Sequence, residues 1–174
     1  MSVDRDLIVR ARAGEDAAHE TLILQCSPMV FRVISRFFHH REQVEDLAQE
    51  VFLKVFTRIH QVRPDENFPG WLRRVAVNAC YDELRKTRRR VLALGLYGHE
   101  TARTIPTPVE PKDFTKLRLA LESLDPKLRV PLVLKEMEEL SVAEIAEVLG
   151  ITTMNVKIRL FRARKRLVEQ LHPK

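Results

Sequence analysis

Glycine is scarce in this chain, with five in 174 residues, and no stretch alternates apolar and polar side chains cleanly enough for a β-strand. Sheet architectures are therefore set aside. No continuous apolar run approaches the ~20 residues of a membrane span. The opening MSVDRDLIVRARAGED scatters charges throughout and has no signal-peptide core, so a cytoplasmic protein is expected. Cysteine is limited to Cys26 and Cys80, far apart and without a CxxC pair. Buried free thiols in a reducing compartment follow from the usual burial and redox trends.

What is present is apolar content and positive charge. Apolar residues make up 45% of the chain, enough for a packed core and against wholesale disorder. The formal net charge is +6 and the isoelectric point about 9.6, which favours a polyanionic partner, either nucleic acid or an anionic membrane surface. The length allows one domain or two small ones.

The pattern reads as helices throughout. Asp4 or Asp6 caps a first helix that runs through Ala13 and ends at Gly14. A second extends from about Asp16 towards Phe38, with a kink or break expected at Pro28. VEDLAQEVFLKVFTRI makes a third, with Val44, Leu47, Ala48, Val51 and Val55 on one side. VRPDENFPG is a loop feeding a fourth, WLRRVAVNACYDELRKTRRR. From about Leu94 the segment GLYGHETARTIPTPVEPKD, with three prolines and two glycines, reads as a linker. Helical pattern returns at Phe114 and continues to Leu171, with Asp125 as an N-cap and Pro126 in the first turn. The expected fold is all-α: two small helical domains, residues 1–94 and 113–174, joined by a flexible linker at 95–112. Each would have a modest core and marginal stability alone.

In LSVAEIAEVLGITTMNVKIRLFRARKRL, Ser141 and Glu144 form a capping box. Gly150 ends the short helix in a left-handed turn, and Thr152 or Thr153 caps the next. Ala146, Gly150 and Val156 fall where a helix-turn-helix needs a small residue, a turn and a branched apolar lock. Six of the thirteen residues from Val156 to Val168 are Lys or Arg, and none is acidic. At about 100° per residue, Val156, Leu160, Ala163 and Leu167 share one face. Opposite lie Ile158 and Lys165, flanked by Lys157, Phe161 and Arg162, with Arg159, Arg164 and Arg166 at the margins. A solvated face would mix acids with bases; an acid-free one fits a DNA major groove.

The fourth helix has its core face at Leu72, Val75, Ala76 and Ala79. A second stripe carries Arg74, Asn78, Tyr81 and Arg85, where cations, an amide and an aromatic ring suit stacked single-stranded bases. An ordinary solvent face fits the stripe equally well. Arg88, Arg89 and Arg90 prolong the positive track. On the third helix Glu42, Asp46, Gln49 and Glu50 line one side beside Phe52, either as a dock for a basic protein surface or as a solubilising face.

In this order, the blocks resemble the extracytoplasmic-function group of bacterial RNA polymerase sigma factors, over nearly the whole chain. EDLAQEVFLKVF is similar to the part of region 2 that grips the clamp helices of the polymerase β′ subunit. NFPGWLRRVAVNACYDELRKTRRR is similar to the part that melts and reads the minus-ten element, and LSVAEIAEVLGITTMNVKIRLFRARKRL to region 4, which reads the minus-thirty-five element. The resemblance implies polymerase contacts at Asp46, Gln49, Glu50 and Phe52, with the β subunit as a further partner. It places unstacked minus-ten bases at Asn78 and the loop from Arg63 to Phe68, which includes Asn67, beside Arg74, Tyr81 and Arg85. The minus-thirty-five element would face Lys157, Ile158, Phe161 and Arg162, with Arg159, Lys165 and Arg166 alongside. It also implies a partner anti-sigma factor and promoter DNA, while the residues themselves offer no metal site and no cofactor is expected.

Departures from the family pattern are Met154-Asn155 where Gly-Thr is frequent, Ile158 where a small polar residue is frequent, Glu139 in place of glycine before Leu140-Ser141, and Pro131 in a helix commonly uninterrupted. A free-standing helix-turn-helix regulator is the competing reading, but it leaves residues 71–90 and the strip from Asp46 to Glu50 without a role. A nuclease built on His39, His40 and Glu42 lacks any convergent acid cluster.

Overall fold

The structure is a computed structural model, and it describes residues 3–62, 67–94 and 112–172. The described residues are helical with short turns and contain no strand. In chain order they form α1 (Arg5–Arg12), α2 (Asp16–Ser35), α3 (Arg41–Arg58), a 3-10 turn (Ile59–Gln61), α4 (Phe68–Ala93), α5 (Lys112–Ser123), α6 (Pro126–Glu136), α7 (Val142–Leu149) and α8 (Thr153–Leu171). Contacts divide the chain into two compact units, Met1–Cys80 and Tyr81–Lys174. The division falls inside α4, earlier than the boundary expected at residue 94. Leu84 is the last buried side chain of that helix, so its final turns belong to no core. The proposed linker at 95–112 lies almost wholly outside the described residues, as does Arg63–Glu66 of the expected base-binding loop.

In the first unit α1 packs on α2 and α2 on α3. Asp4 caps α1 by accepting from the Asp6 N–H at 3.1 Å, and Gly14 follows the helix with φ +83°. Arg12 donates to the His60 carbonyl at 3.2 Å, tying α1 to the 3-10 turn. The core collects Leu22, Val30, Val33 and Ile34 of α2, Val51 and Val55 of α3, and Leu72, Ala76 and Val77 of α4. Both cysteines are buried and free, and burial pushes the Cys26 thiol up to about 11.

Pro28 does not break α2, which runs unbroken to Ser35. The carbonyl it leaves without a donor, that of Leu24, belongs to an exposed residue on the solvent side, where water can replace the missing bond. Pro131 is likewise held inside a continuous α6. The second helix ends short of Phe38, because Arg36, Phe37 and Phe38 turn back and bury both phenylalanines.

In the second unit α5, α6 and α7 each pack on α8, and α6 also meets α7. Asp125 caps α6 by accepting from the Lys127 N–H at 2.8 Å, with Pro126 at the start of the helix. Leu134, Ile145, Val156 and Ala163 lie at the centre of this core.

Candidate nucleic-acid interface

The second unit builds its exposed face from well-specified local chemistry. Ser141 accepts from the Glu144 N–H at 3.2 Å, and Glu144 returns a carboxylate to the Ser141 N–H at 2.8 Å. Both arms of the capping box are therefore present. Gly150 ends α7 at φ +62°, and the Ile151 N–H reaches the Ala146 carbonyl at 3.0 Å, closing a Schellman turn. A β-carbon at Gly150 would meet no atom within 4 Å, so the glycine answers a backbone requirement rather than a steric one. Thr152, not Thr153, caps α8 by accepting from the Asn155 N–H at 3.2 Å.

With α8 thus aimed, Val156, Leu160 and Ala163 are buried and Leu167 is half-buried. Lys157, Ile158, Phe161, Arg162, Lys165 and Arg166 are exposed, and Arg159 is half-buried at the margin. Phe161 has 69% of its surface in solvent and Ile158 40%. Arg164 has a different job: its guanidinium pairs with Glu136 at 2.7 Å, tying α8 to α6. Met154, one turn before Ile158, is 63% exposed. It extends the apolar ridge opposite the core, and the i, i+4 spacing to Ile158 was the signal for it in the sequence.

On α4 the expected stripe lies on one side of a continuous helix. Asn78 and Arg85 are exposed, while Arg74 and Tyr81 are half-buried. The Arg85 guanidinium lies 5.6 Å from the Tyr81 ring centroid, close enough for a cation–π contact that holds the ring's orientation. The start of the helix corrects one expectation. Phe68 is 1% exposed, with its ring against Trp71 at 5.6 Å between centroids, so it fills the core and offers no face to a base. Asn67 is exposed but engaged, since its side-chain oxygen accepts from the Gly70 N–H at 3.1 Å. It caps the first turn of α4, and only its amide NH₂ remains for a ligand.

The strip on α3 is a surface of another kind. Asp46, Gln49 and Glu50 are exposed and Phe52 is half-buried, with its ring 6.4 Å from that of Phe56. Glu50 pairs with Lys54 at 2.6 Å and Glu45 with Arg41 at 2.7 Å. Such exposed pairs contribute little and exchange partners readily. Asp46 has no ion-pair partner among the described residues. Leu53 was missed in the sequence, although it falls three and four residues after Glu50 and Gln49 and outside the core stripe. Among the described residues no cluster of His, Cys, Asp and Glu suits a metal ion, and no helix is long and apolar enough to cross a membrane.

Family comparisons bring the two units together. Residues 22–90 match the model for Sigma-70 region 2, and residues 114–167 match that for Sigma-70, region 4. The chain belongs to the sigma-70 family. Within that family it is similar to extracytoplasmic-function sigma factors. It is 29% identical to the RNA polymerase sigma-H factor of Pseudomonas aeruginosa, across 98% of this chain and 94% of that one. It is also 29% identical to the ECF RNA polymerase sigma-E factor of Escherichia coli, across 98% and 95%. A solved structure of CnrH in complex with the cytosolic domain of CnrY shares 25% identity and a TM-score of 0.63, covering 97% of this chain and 96% of that one. The sigma factor RpoE, solved with the anti-sigma factor NepR from Bartonella quintana, is similar in fold. Its TM-score is 0.64 at 24% identity, covering 87% and 95% of the two chains. The acid-free run of α8 from Val156 to Leu167 lies in the matched region 4 of this sigma-70 chain, and both the α3 strip and the α4 stripe lie in the matched region 2.

Proposed function

We propose that this chain is an alternative sigma factor that binds core RNA polymerase and directs initiation at promoters with two separated elements. Region 2, ending near residue 94, docks on the β′ clamp helices through Asp46, Gln49 and Glu50, with Phe52 behind them. Asn78, Tyr81, Arg74 and Arg85 hold the melted nontemplate strand of the minus-ten element, assisted by the Asn67 amide. Region 4, from about residue 113, reads the minus-thirty-five element as duplex. Arg162 and Lys157 donate to guanine or phosphate, Ile158 and Phe161 supply apolar contacts, and Arg159, Lys165 and Arg166 neutralise backbone charge. Region 4 also engages the β subunit.

One observation carries this reading: an acidic strip on α3 and an acid-free basic run on α8, Val156 to Val168, occur in the same small chain. A protein that met only DNA would gain no more than solubility from exposed Asp46 and Glu50, which repel phosphate, whereas a basic protein surface complements them. A free-standing helix-turn-helix regulator would need α8 and not α3. The chain acts by binding, without catalysis of its own, and works in the cytoplasm where its polymerase and promoters are. The solved complexes of similar proteins with NepR and with the cytosolic domain of CnrY support control by an anti-sigma factor.

The test is a pull-down of core polymerase with the double variant Asp46→Lys, Glu50→Lys. Both positions are exposed, so helix content should be unchanged while holoenzyme formation is lost. Wild-type binding by the double variant would reduce the strip to a solvated face and remove the polymerase from the account.

A further inference from the structure

The α3 strip runs into an apolar side chain, Leu53, one turn after Gln49 and Glu50. On a helix with its core stripe at Val44, Leu47, Ala48, Val51 and Val55, Leu53 points directly away from that core at about 100° per residue. On that face Gln49 and Glu50 lie one turn before it, Asp46 two turns before it and Thr57 one turn after it. It is 66% exposed. Its backbone is held in helix, with the Thr57 hydroxyl donating to the Leu53 carbonyl at 2.9 Å. Single exposed leucines are ordinary on protein surfaces, so exposure alone decides nothing. The position does. A face selected only for solubility places a polar side chain furthest from the core, as the flanking Glu42, Asp46, Gln49 and Glu50 do. An interface has the opposite anatomy, an apolar anchor ringed by polar groups that exclude water around it.

We propose that Leu53 is the apolar anchor of the protein–protein interface on α3, inserting into an apolar recess bordered by Lys or Arg on the partner. This rests on the reading of α3 as the polymerase-docking face, and it names the side chain that supplies most of the desolvation there. Charge narrows the occupant. The carboxylates around Leu53 repel a phosphate backbone, so nucleic acid does not cover it, whereas a basic protein surface complements them. Core polymerase is the occupant chosen. A second copy of this chain, offering its basic α8, is the competing one.

Full-length protein is titrated against core RNA polymerase as wild type, Leu53→Ser, Leu53→Met, Leu24→Ser and the Asp46→Lys, Glu50→Lys double variant, with thermal melting and sedimentation of each. Leu53→Ser should weaken binding at least about tenfold, equivalent to about 1.4 kcal/mol. Leu53→Met, of similar volume, should stay within about threefold. Leu24→Ser removes a leucine of comparable exposure, 76% against 66%, from α2 and should bind as wild type, and the two serine variants should melt together, within about 0.5 kcal/mol of wild type for serine in a helix. Wild-type affinity in Leu53→Ser beside a non-binding double variant overturns the anchor and spares the polymerase reading. Wild-type affinity in both overturns the two together. A melting temperature for Leu53→Ser well below that of Leu24→Ser, a loss of self-association without a loss of polymerase binding, or an equal binding defect in Leu24→Ser also overturns the anchor.

Discussion

Replacing Glu139 with glycine should stabilise the helix-turn-helix unit. Glu139 lies in the turn between α6 and α7 at φ +53°, and no other described non-glycine residue has a positive φ. The turn around it is fixed: the Leu140 N–H reaches the Leu134 carbonyl at 3.1 Å, and Lys135 donates to the Leu140 carbonyl at 3.2 Å. The residue therefore cannot relax into the right-handed region without breaking these bonds. A β-carbon in the left-handed region costs roughly 1–2 kcal/mol. Glycine removes that cost but adds about 0.5–1 kcal/mol of unfolded-chain entropy. The side chain is exposed, so little contact energy is lost with it, and the net gain is about 0.5–1 kcal/mol. In native-state hydrogen exchange of the full chain, amides of Ile145, Val156 and Leu160 should exchange about two- to fivefold more slowly. Glu139→Ala keeps the β-carbon and should leave them unchanged. Equal protection in the alanine and glycine variants, or faster exchange in the glycine variant, would refute the strain argument.

Two other perturbations probe the two units separately. Ile158→Ser should leave stability within about 0.5 kcal/mol and change preference at one or two base pairs of the upstream element, because the thymine methyl loses its apolar partner. Arg162→Ala should weaken binding more, and competition selection on randomised minus-thirty-five elements reads both effects. Cys26 is fully buried and its thiol is pushed up to about 11, so at pH 8 it should alkylate at least about 100-fold more slowly in the folded chain than in denaturant, because the reagent must also wait for local opening. The same shift means that its contribution to stability is present below pH 9 and is lost as the pH rises towards 11, which alkaline melting curves would register.

The parts of the fold legible in the sequence were those set by short-range chemistry. The Ser141–Glu144 box, Gly150, the Asp125-Pro126 start and the core stripe of α8 each follow from residues within one or two turns of one another. The departures arise where distant packing decides. Pro28 and Pro131 looked like breaks, yet both are absorbed into continuous helices, and at Pro28 the orphaned carbonyl has access to water. Phe68 entered the minus-ten set only through the resemblance, which places bases at the loop that it ends. Its ring instead closes the core beside Trp71, which no local pattern announces. Glu139 was visible only as an odd replacement for glycine, and the positive φ gives that oddity its physical meaning. On the binding faces, the exposed set on α8 was readable from periodicity. Leu53 carries no such mark, because its neighbours one turn earlier, Gln49 and Glu50, give that side of α3 the pattern of an ordinary polar face.

The central claim is that this chain gives core RNA polymerase its promoter choice. In vitro transcription with purified core polymerase on a genomic fragment library tests it most directly. Added protein should produce a defined set of transcripts that start at fixed distances downstream of paired elements, and the Asp46→Lys, Glu50→Lys variant should produce none. Specific binding to fragments without core polymerase, together with no protein-dependent transcripts, would contradict the account and leave a regulator that acts on DNA alone.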